Sequence, residues 1–172
     1  MKTKISGTYY LKLFSIALLL MVVAPYVAVA QTGKVNFTGT WILNASKSVL
    51  GDNPRMGGGD FTAKQEGNLL TVDRTFTNRD GESMTSNMKY TLDGKECVNT
   101  SQRGDSKSVA SWSADGKTLT ISSVRTFNMN GESRTMKSVD VWTLTDPKTI
   151  TIKSTSSTPN GDRNMTTVYD KK

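Results

Sequence analysis

The sequence contains no histidine, and Cys97 is the single cysteine among its 172 residues. The first absence excludes imidazole metal ligands, a histidine-based catalytic triad and a histidine-ligated haem. A lone thiol can form no internal disulfide and makes no metal site. After Gln31 no segment keeps an apolar period of 3.6 residues, which argues against helical bundles and α/β folds. Nor does any apolar run reach the ~20 residues that a membrane-crossing helix needs. The longest, Leu13 to Ala24, follows Lys2 and Lys4, is broken by Pro25, and leads to Ala28-Val29-Ala30. That order of basic start, short apolar stretch and small residues reads as a cleaved signal peptide over 1–30. The expected mature chain, 31–172, is one domain, secreted or periplasmic, with no integral membrane segment. Lys2, Lys4 and Lys12 supply three units of the net charge of +7. The remaining bases are scattered and not interleaved with aromatics, so no nucleic-acid partner is expected.

What the sequence does have is alternation and turns. Thr, Ser and Val dominate short alternating runs, and turn dipeptides separate them. Asp93-Gly94, Asp115-Gly116, Asn130-Gly131 and Asn160-Gly161 are two-residue hairpin signals, because tight primed turns need positive φ. Arg79-Asp80-Gly81 suits a three-residue loop, and Asp146-Pro147-Lys148 is a further short turn. The punctuation predicts ten strands over 35–43, 60–66, 69–77, 82–92, 95–101, 106–114, 117–127, 132–145, 149–158 and 162–170. Short connections make consecutive strands neighbours. The exception is loop 44–59, which holds Pro54 and Gly57-Gly58-Gly59; so long a loop is usually functional or mobile. An internal repeat fits the same scheme. Residues 66–72, 115–121 and 146–152 each join a turn to an apolar-Thr-apolar triplet, and Arg74-Thr75-Phe76 matches Arg125-Thr126-Phe127. In a meander every second turn lies at the same end.

Turn geometry fixes register, and register fixes faces. The hairpins place Trp112 opposite Leu119, Ala110 opposite Ile121, Leu119 opposite Trp142 and Arg125 opposite Met136. They also place Phe76 opposite Met84, Val72 opposite Met88, Tyr90 opposite Cys97 and Ile152 opposite Tyr169. One apolar face results, running from Trp41 through Leu70, Tyr90, Trp112 and Trp142 to Tyr169. With no helix to cover it, that face must close on itself. The expected fold is all-β, a single antiparallel up-and-down β-barrel of about 8–10 strands, which also removes sheet edges. The same face carries Arg74, Ser86, Asn99, Ser108, Ser123, Arg125, Ser138, Asp140, Ser154 and Thr167. In a solid core unpaired polar groups cost ~1–3 kcal/mol each, so a wet, ligand-sized cavity is the expectation.

These residues support a resemblance. Phe37-Thr38-Gly39-Thr40-Trp41 resembles the Gly-x-Trp entry strand of lipocalins and fatty-acid-binding proteins, the calycin barrels. Phe61 to Asn78 is similar to the second and third strands of fatty-acid-binding proteins, and Thr166 to Asp170 to their closing strand. The whole of 31–172 also resembles secreted bacterial lipocalin-like proteins, with Leu43-Asn44, Lys47-Ser48 and the turns at 93–95 and 115–117. The resemblance implies a lipocalin-like barrel that carries a lipid-like ligand. Fatty-acid-binding proteins hold a ligand carboxylate with Arg-x-Tyr on the last strand. Tyr169 matches that tyrosine, while Thr167 stands at the arginine position.

The expected ligand-binding residues are Arg74, Met88, Tyr90, Trp112, Arg125, Met136 and Tyr169. Arg74 and Arg125 lie on strands of the same sense, at the end of the barrel where loop 44–59 emerges. They are expected to hold an anionic headgroup there. Met84, Met88, Met136 and Met165 would line an adaptable apolar space. The expected function is a secreted barrel that binds a small hydrophobic or amphipathic ligand, without cofactor or metal. The alternative is a protein-interaction or inhibitor domain with a filled barrel. No nucleophile–base pair is visible, so an enzyme is not expected. Arg103-Gly104-Asp105 reads as a hairpin turn, and Gly57-Gly58-Gly59 lacks the Lys-Ser or Lys-Thr of a phosphate loop.

Overall fold

A computed structural model of the chain describes residues 33–51, 58–77, 81–101, 104–129, 131–158 and 161–172. The expected signal peptide, the tip of loop 44–59 and Arg103 lie outside them.

Ten antiparallel strands form one sheet. They are β1 (Gly39–Leu43), β2 (Phe61–Glu66), β3 (Leu69–Thr77), β4 (Ser83–Thr91), β5 (Glu96–Ser101), β6 (Gly104–Trp112), β7 (Thr118–Met129), β8 (Glu132–Asp146), β9 (Thr149–Thr158) and β10 (Gly161–Lys171). Their order is β4-β3-β2-β1-β10-β9-β8-β7-β6-β5. The first strand meets the last, with Trp41 opposite Lys171 and Leu43 opposite Tyr169. The sheet therefore curls into a nearly closed up-and-down barrel, as expected. Strands form here because the β-branched Thr, Val and Ile and the aromatics suit a pleated, half-buried surface. The turns end them by a repeated device. The side chains of Asp93, Asp115 and Asp146 accept the backbone N–H of Lys95, Lys117 and Lys148 at 3.1, 3.1 and 2.8 Å. Each Asp-x-Lys is thus an Asx turn. These hydrogen bonds hold the Asp93 and Asp115 carboxyls below the ordinary carboxylate range, Asp93 chiefly through the Lys95 backbone and Asp115 chiefly through the Ser113 hydroxyl.

Most of the expected registers hold. Trp112 faces Leu119, Leu119 faces Trp142, Arg125 faces Met136, and Val72 faces Met88. Three expectations are corrected. Tyr90 and Cys97 are not ladder partners, because β4 and β5 are not adjacent in the hydrogen-bonded sheet. The Leu92 N–H is drawn away to the Asn68 carbonyl at 2.9 Å, and side chains bridge the seam instead. The Asn99 amide accepts from Lys89 N at 2.8 Å and donates to Lys89 O at 2.9 Å, joined by the Cys97 thiol at 3.3 Å. Second, Gly161 pairs with Thr158, so Tyr169 faces Ile150 and Ile152 faces Thr167. The register lies two residues from expectation, and a two-residue shift leaves every side chain on its predicted face. Third, β1 starts at Gly39, not at residue 35. Phe37 turns into the barrel instead and is fully buried. Its carbonyl accepts the Trp41 indole N–H at 2.9 Å, and its N–H is taken by the Gln65 side chain at 3.2 Å.

The core is concentrated at one end. Leu70 and Val72, Leu119 and Ile121, and Ile150 and Ile152 are all buried. These are the apolar positions of the three repeats, and β3, β7 and β9 run in the same sense, so the repeated triplets form one layer. Aromatic rings complete this closed end. Phe37 stacks on Trp112 at 5.8 Å and meets Trp142 edge-on at 5.6 Å, while Phe61 packs against Trp142 and Tyr169 at 5.3 and 4.8 Å. Such contacts contribute ~0.5–1.5 kcal/mol each beyond the area they bury.

Candidate functional site in the barrel interior

Beyond the aromatic layer many of the inward-facing side chains are no longer fully buried. Along β8, Arg134, Met136, Ser138 and Asp140 are each half-buried, and up to Val139 they alternate with exposed neighbours. Ser86 and Met88 on β4 do the same, as do Ser123, Arg125 and Phe127 on β7. A filled core would bury such positions, so solvent reaches the interior of this half. It is walled by methionine, phenylalanine and serine, with three arginines and one aspartate.

Arg74 on β3 stands deepest of the arginines. Its Nη1 donates to the Tyr169 hydroxyl at 2.8 Å and to the Gly59 carbonyl at 3.2 Å. Its guanidinium lies over the Phe61 ring at 4.9 Å and beside the Tyr169 ring at 5.7 Å. Gly58, at φ of 71°, leaves room for that guanidinium, which a β-carbon there would strike. Arg74 is therefore built into the wall, at the junction of the aromatic layer and the open half. The tyrosine of β10 does have an arginine partner, contributed by β3. Thr167, at the expected arginine position, is buried and its hydroxyl bonds the Ile152 carbonyl at 3.4 Å.

Arg125 on β7 is placed differently. It faces inward between Ser106 and Met136. It lies six residues beyond Leu119, whereas Arg74 lies four beyond Leu70, so it sits nearer the open end. Among the described residues it has no hydrogen-bond or ion-pair partner. The two arginines nevertheless act on one space, since both bear electrostatically on the Tyr90 hydroxyl. Burial pushes Tyr90 up to about 12, helped by the charge of Asp140 and opposed by Arg74 and Arg125. Asp140 on β8 is also raised. Burial is the main cause, and a hydrogen bond from Ser154 and the charge of Arg74 act against it.

The structure brings together Arg74, Tyr90, Arg125, Met88, Met136 and Tyr169 around the interior. Met88 borders the buried core, and Met136 is the strand partner of Arg125. Trp112 is elsewhere: it stacks on Phe37 in the closed end, in register with Trp142, which lies six residues along β8 from Met136. Sequence reasoning placed Asp140 on the inward face without giving it a role, and missed Arg134, whose Nη2 reaches Glu132 at 3.3 Å. The signal for Asp140 was present, since it was the one carboxylate on the inward list. Loop 44–59 is tied down where it is described. Asn44 caps a 3-10 turn at Ala45–Lys47, and Lys47 pairs with Asp170 at 3.2 Å. Val49 exchanges backbone hydrogen bonds with Thr166 at 2.7 and 2.9 Å. Among the described residues no cluster of acidic or thiol side chains is arranged to hold a metal, and no helix is long and apolar enough to cross a membrane.

No protein-family model matches the sequence, and no curated protein matches it. Among solved structures the chain is similar to the zebrafish ileal bile acid-binding protein complexed with cholic acid, with a TM-score of 0.52 at 16% identity. The alignment covers 79% of this chain and 98% of that one. At that identity the likeness is one of fold: this chain has the nearly closed, antiparallel up-and-down β-barrel of that bile acid-binding protein.

Proposed function

We propose that the protein is a non-catalytic carrier that binds a small amphipathic molecule, anionic at one end, inside the open half of the barrel. The observation that carries this reading is Arg125, a half-buried inward cation without a protein partner among the described residues, set between the half-buried Met136 and the buried Ser106. A half-buried guanidinium lacking a counter-charge is a ready site for a carboxylate or sulfate, and the methionines suit an apolar body of variable shape. The structural neighbour's complex with cholic acid supports the class of ligand. The signal-like sequence over 1–30 supports a place in the periplasm or outside the cell. A filled barrel acting as an interaction domain is the weaker reading, because it accounts for the closed half alone.

The test compares dodecanoate with dodecanol, each displacing the dye anilinonaphthalene sulfonate from wild type and from Arg125→Met. Arg125 is the position to change, because Arg74 also holds Tyr169 and Gly59. Dodecanoate affinity should fall about tenfold in the variant, equivalent to ~1.4 kcal/mol. Dodecanol should bind as before. Equal losses for both would assign Arg125 to packing, and failure of both to bind wild type would refute an interior ligand site.

A further inference from the structure

We infer that the interior holds a second polar subsite, formed by Asp140, Arg74 and Ser154, that takes a hydroxyl group at the buried end of the ligand. The inference rests on the interior-binding reading above and extends it to the ligand's other end.

Asp140 and Arg74 carry opposite charges and act on one another across the interior, yet no ion pair joins them among the described residues. Arg74 has spent Nη1 on Tyr169 and Gly59, and a guanidinium has further N–H donors on its other nitrogens. Asp140 receives one hydrogen bond from Ser154, and a carboxylate accepts several. Geometry brings the two to one neighbourhood: the Arg74 guanidinium lies over the Phe61 ring at 4.9 Å, Phe61 packs on Trp142 at 5.3 Å, and Asp140 is the next inward residue from Trp142 along β8. A donor with spare capacity and an acceptor with spare capacity thus share that part of the interior unpaired. A hydroxyl complements both, because it accepts from a guanidinium and donates to a carboxylate. A carboxylate does not fit there, because it offers no proton to Asp140 and repels it when both are ionised. The groups that face Asp140 are Arg74 from β3, Tyr90 from β4, Ile121 from β7 and Ser154 from β9. Arg125 acts on the same group of residues through Tyr90.

The spacing completes the ligand's description. Met136, the strand partner of Arg125, lies four residues along β8 from Asp140, which is about 13 Å of strand. An anionic end at Arg125 and a hydroxyl at Asp140 therefore specify an elongated hydroxylated acid, oriented with its charge toward the open end.

The experiment measures dodecanoate and ω-hydroxydodecanoate by displacement of anilinonaphthalene sulfonate from the full-length barrel and from its Asp140→Leu and Asp140→Asn variants. Wild type should prefer the hydroxy acid by threefold or more. Asp140→Leu should reverse that preference to about tenfold in favour of dodecanoate, since a buried hydroxyl then lacks its acceptor. Should the leucine variant fail to fold, Asp140→Asn gives the reading, with the preference falling to parity. A wild type that binds dodecanoate but disfavours the hydroxy acid, or variants that leave the preference unchanged, would overturn the subsite alone. Failure of wild type to bind either acid would overturn the interior-binding reading, and the subsite with it.

Discussion

The two halves of this barrel use one strand pattern for different ends. At the closed end the inward positions are Phe37, Trp41, Leu70, Leu119, Trp142, Ile150 and Tyr169, and none is more than 3% exposed. In the open half the same alternation continues on the same strands, but the inward positions are Met, Ser, Arg and Asp; those on β4, β7 and β8 remain partly wet, while Ser106 and Ser108 on β6 are buried. The difference lies in volume and polarity. Large rings and branched aliphatics reach across a ten-stranded barrel and exclude water; serines and unbranched side chains do not. Stability is therefore concentrated where the aromatics are, and the open half is free to vary its chemistry because the fold does not depend on filling it.

Substitutions can break or sharpen this contrast. Trp41→Ala should cost ~3–5 kcal/mol in urea unfolding, from the lost ring and the cavity it leaves, with the Phe37 carbonyl also losing its indole donor. A cost below ~1 kcal/mol would mean the closed end is not the seat of stability. Tyr90 sits at the boundary, and its ionisation is linked to folding. Burial holds its folded pKa at about 12, above the ordinary tyrosine value of about 10, so the unfolded chain releases the proton first. Stability should be intact below pH 10 and fall by ~2–3 kcal/mol as pH rises to about 12. Tyr90→Phe should remove that part of the alkaline loss in equilibrium unfolding at stepped pH; an unchanged slope would place the tyrosine in contact with solvent.

Gly104→Ala refines the contrast, since it tests backbone at the open end. Gly104 has φ of 105°, and a β-carbon there would collide with the Thr126 carbonyl oxygen. A loss of ~1–3 kcal/mol is expected, and a neutral result would show that the β5–β6 corner relaxes freely. The smallest effect belongs to Met136→Ala. Truncating a half-buried methionine beside Arg125 should alter stability by less than ~1 kcal/mol while measurably weakening dye binding. A loss as large as that for Trp41→Ala would erase the distinction between the two halves.

Most of the architecture was legible because turns and alternation are local. Asp115-Gly116 and Asn130-Gly131 pinned three strands into register, and β8 fell where the alternation placed it. What was not legible depended on distant partners. Nothing in Asp93-Gly94-Lys95 reveals that Leu92 will donate to Asn68 and leave β4 and β5 bridged by the Asn99 side chain. Phe37 matched a strand pattern, yet becomes a plug because the rings of Trp112 and Trp142 wait for it. At the site, the inward direction of Arg74 and Arg125 was readable from parity. Their depth was not, since it depends on barrel stagger and on Tyr169, far away in sequence. Asp140 was visible as an inward acid, but its raised carboxyl follows from burial by several strands at once.

The pairing of β1 with β10 has a kinetic consequence. Leu43 finds Tyr169 only after the 125 residues between them have been made and the intervening strands are in place. Contacts so distant in sequence slow folding, to milliseconds or seconds for comparable all-β topologies. Until residues 161–171 arrive, β1 has β2 on one side and an open row of backbone donors and acceptors on the other. That unsatisfied edge is a template for pairing with another chain. A chain truncated before β10 should therefore aggregate through β1, and refolding yield should depend on protein concentration more steeply than for a helical protein of the same length.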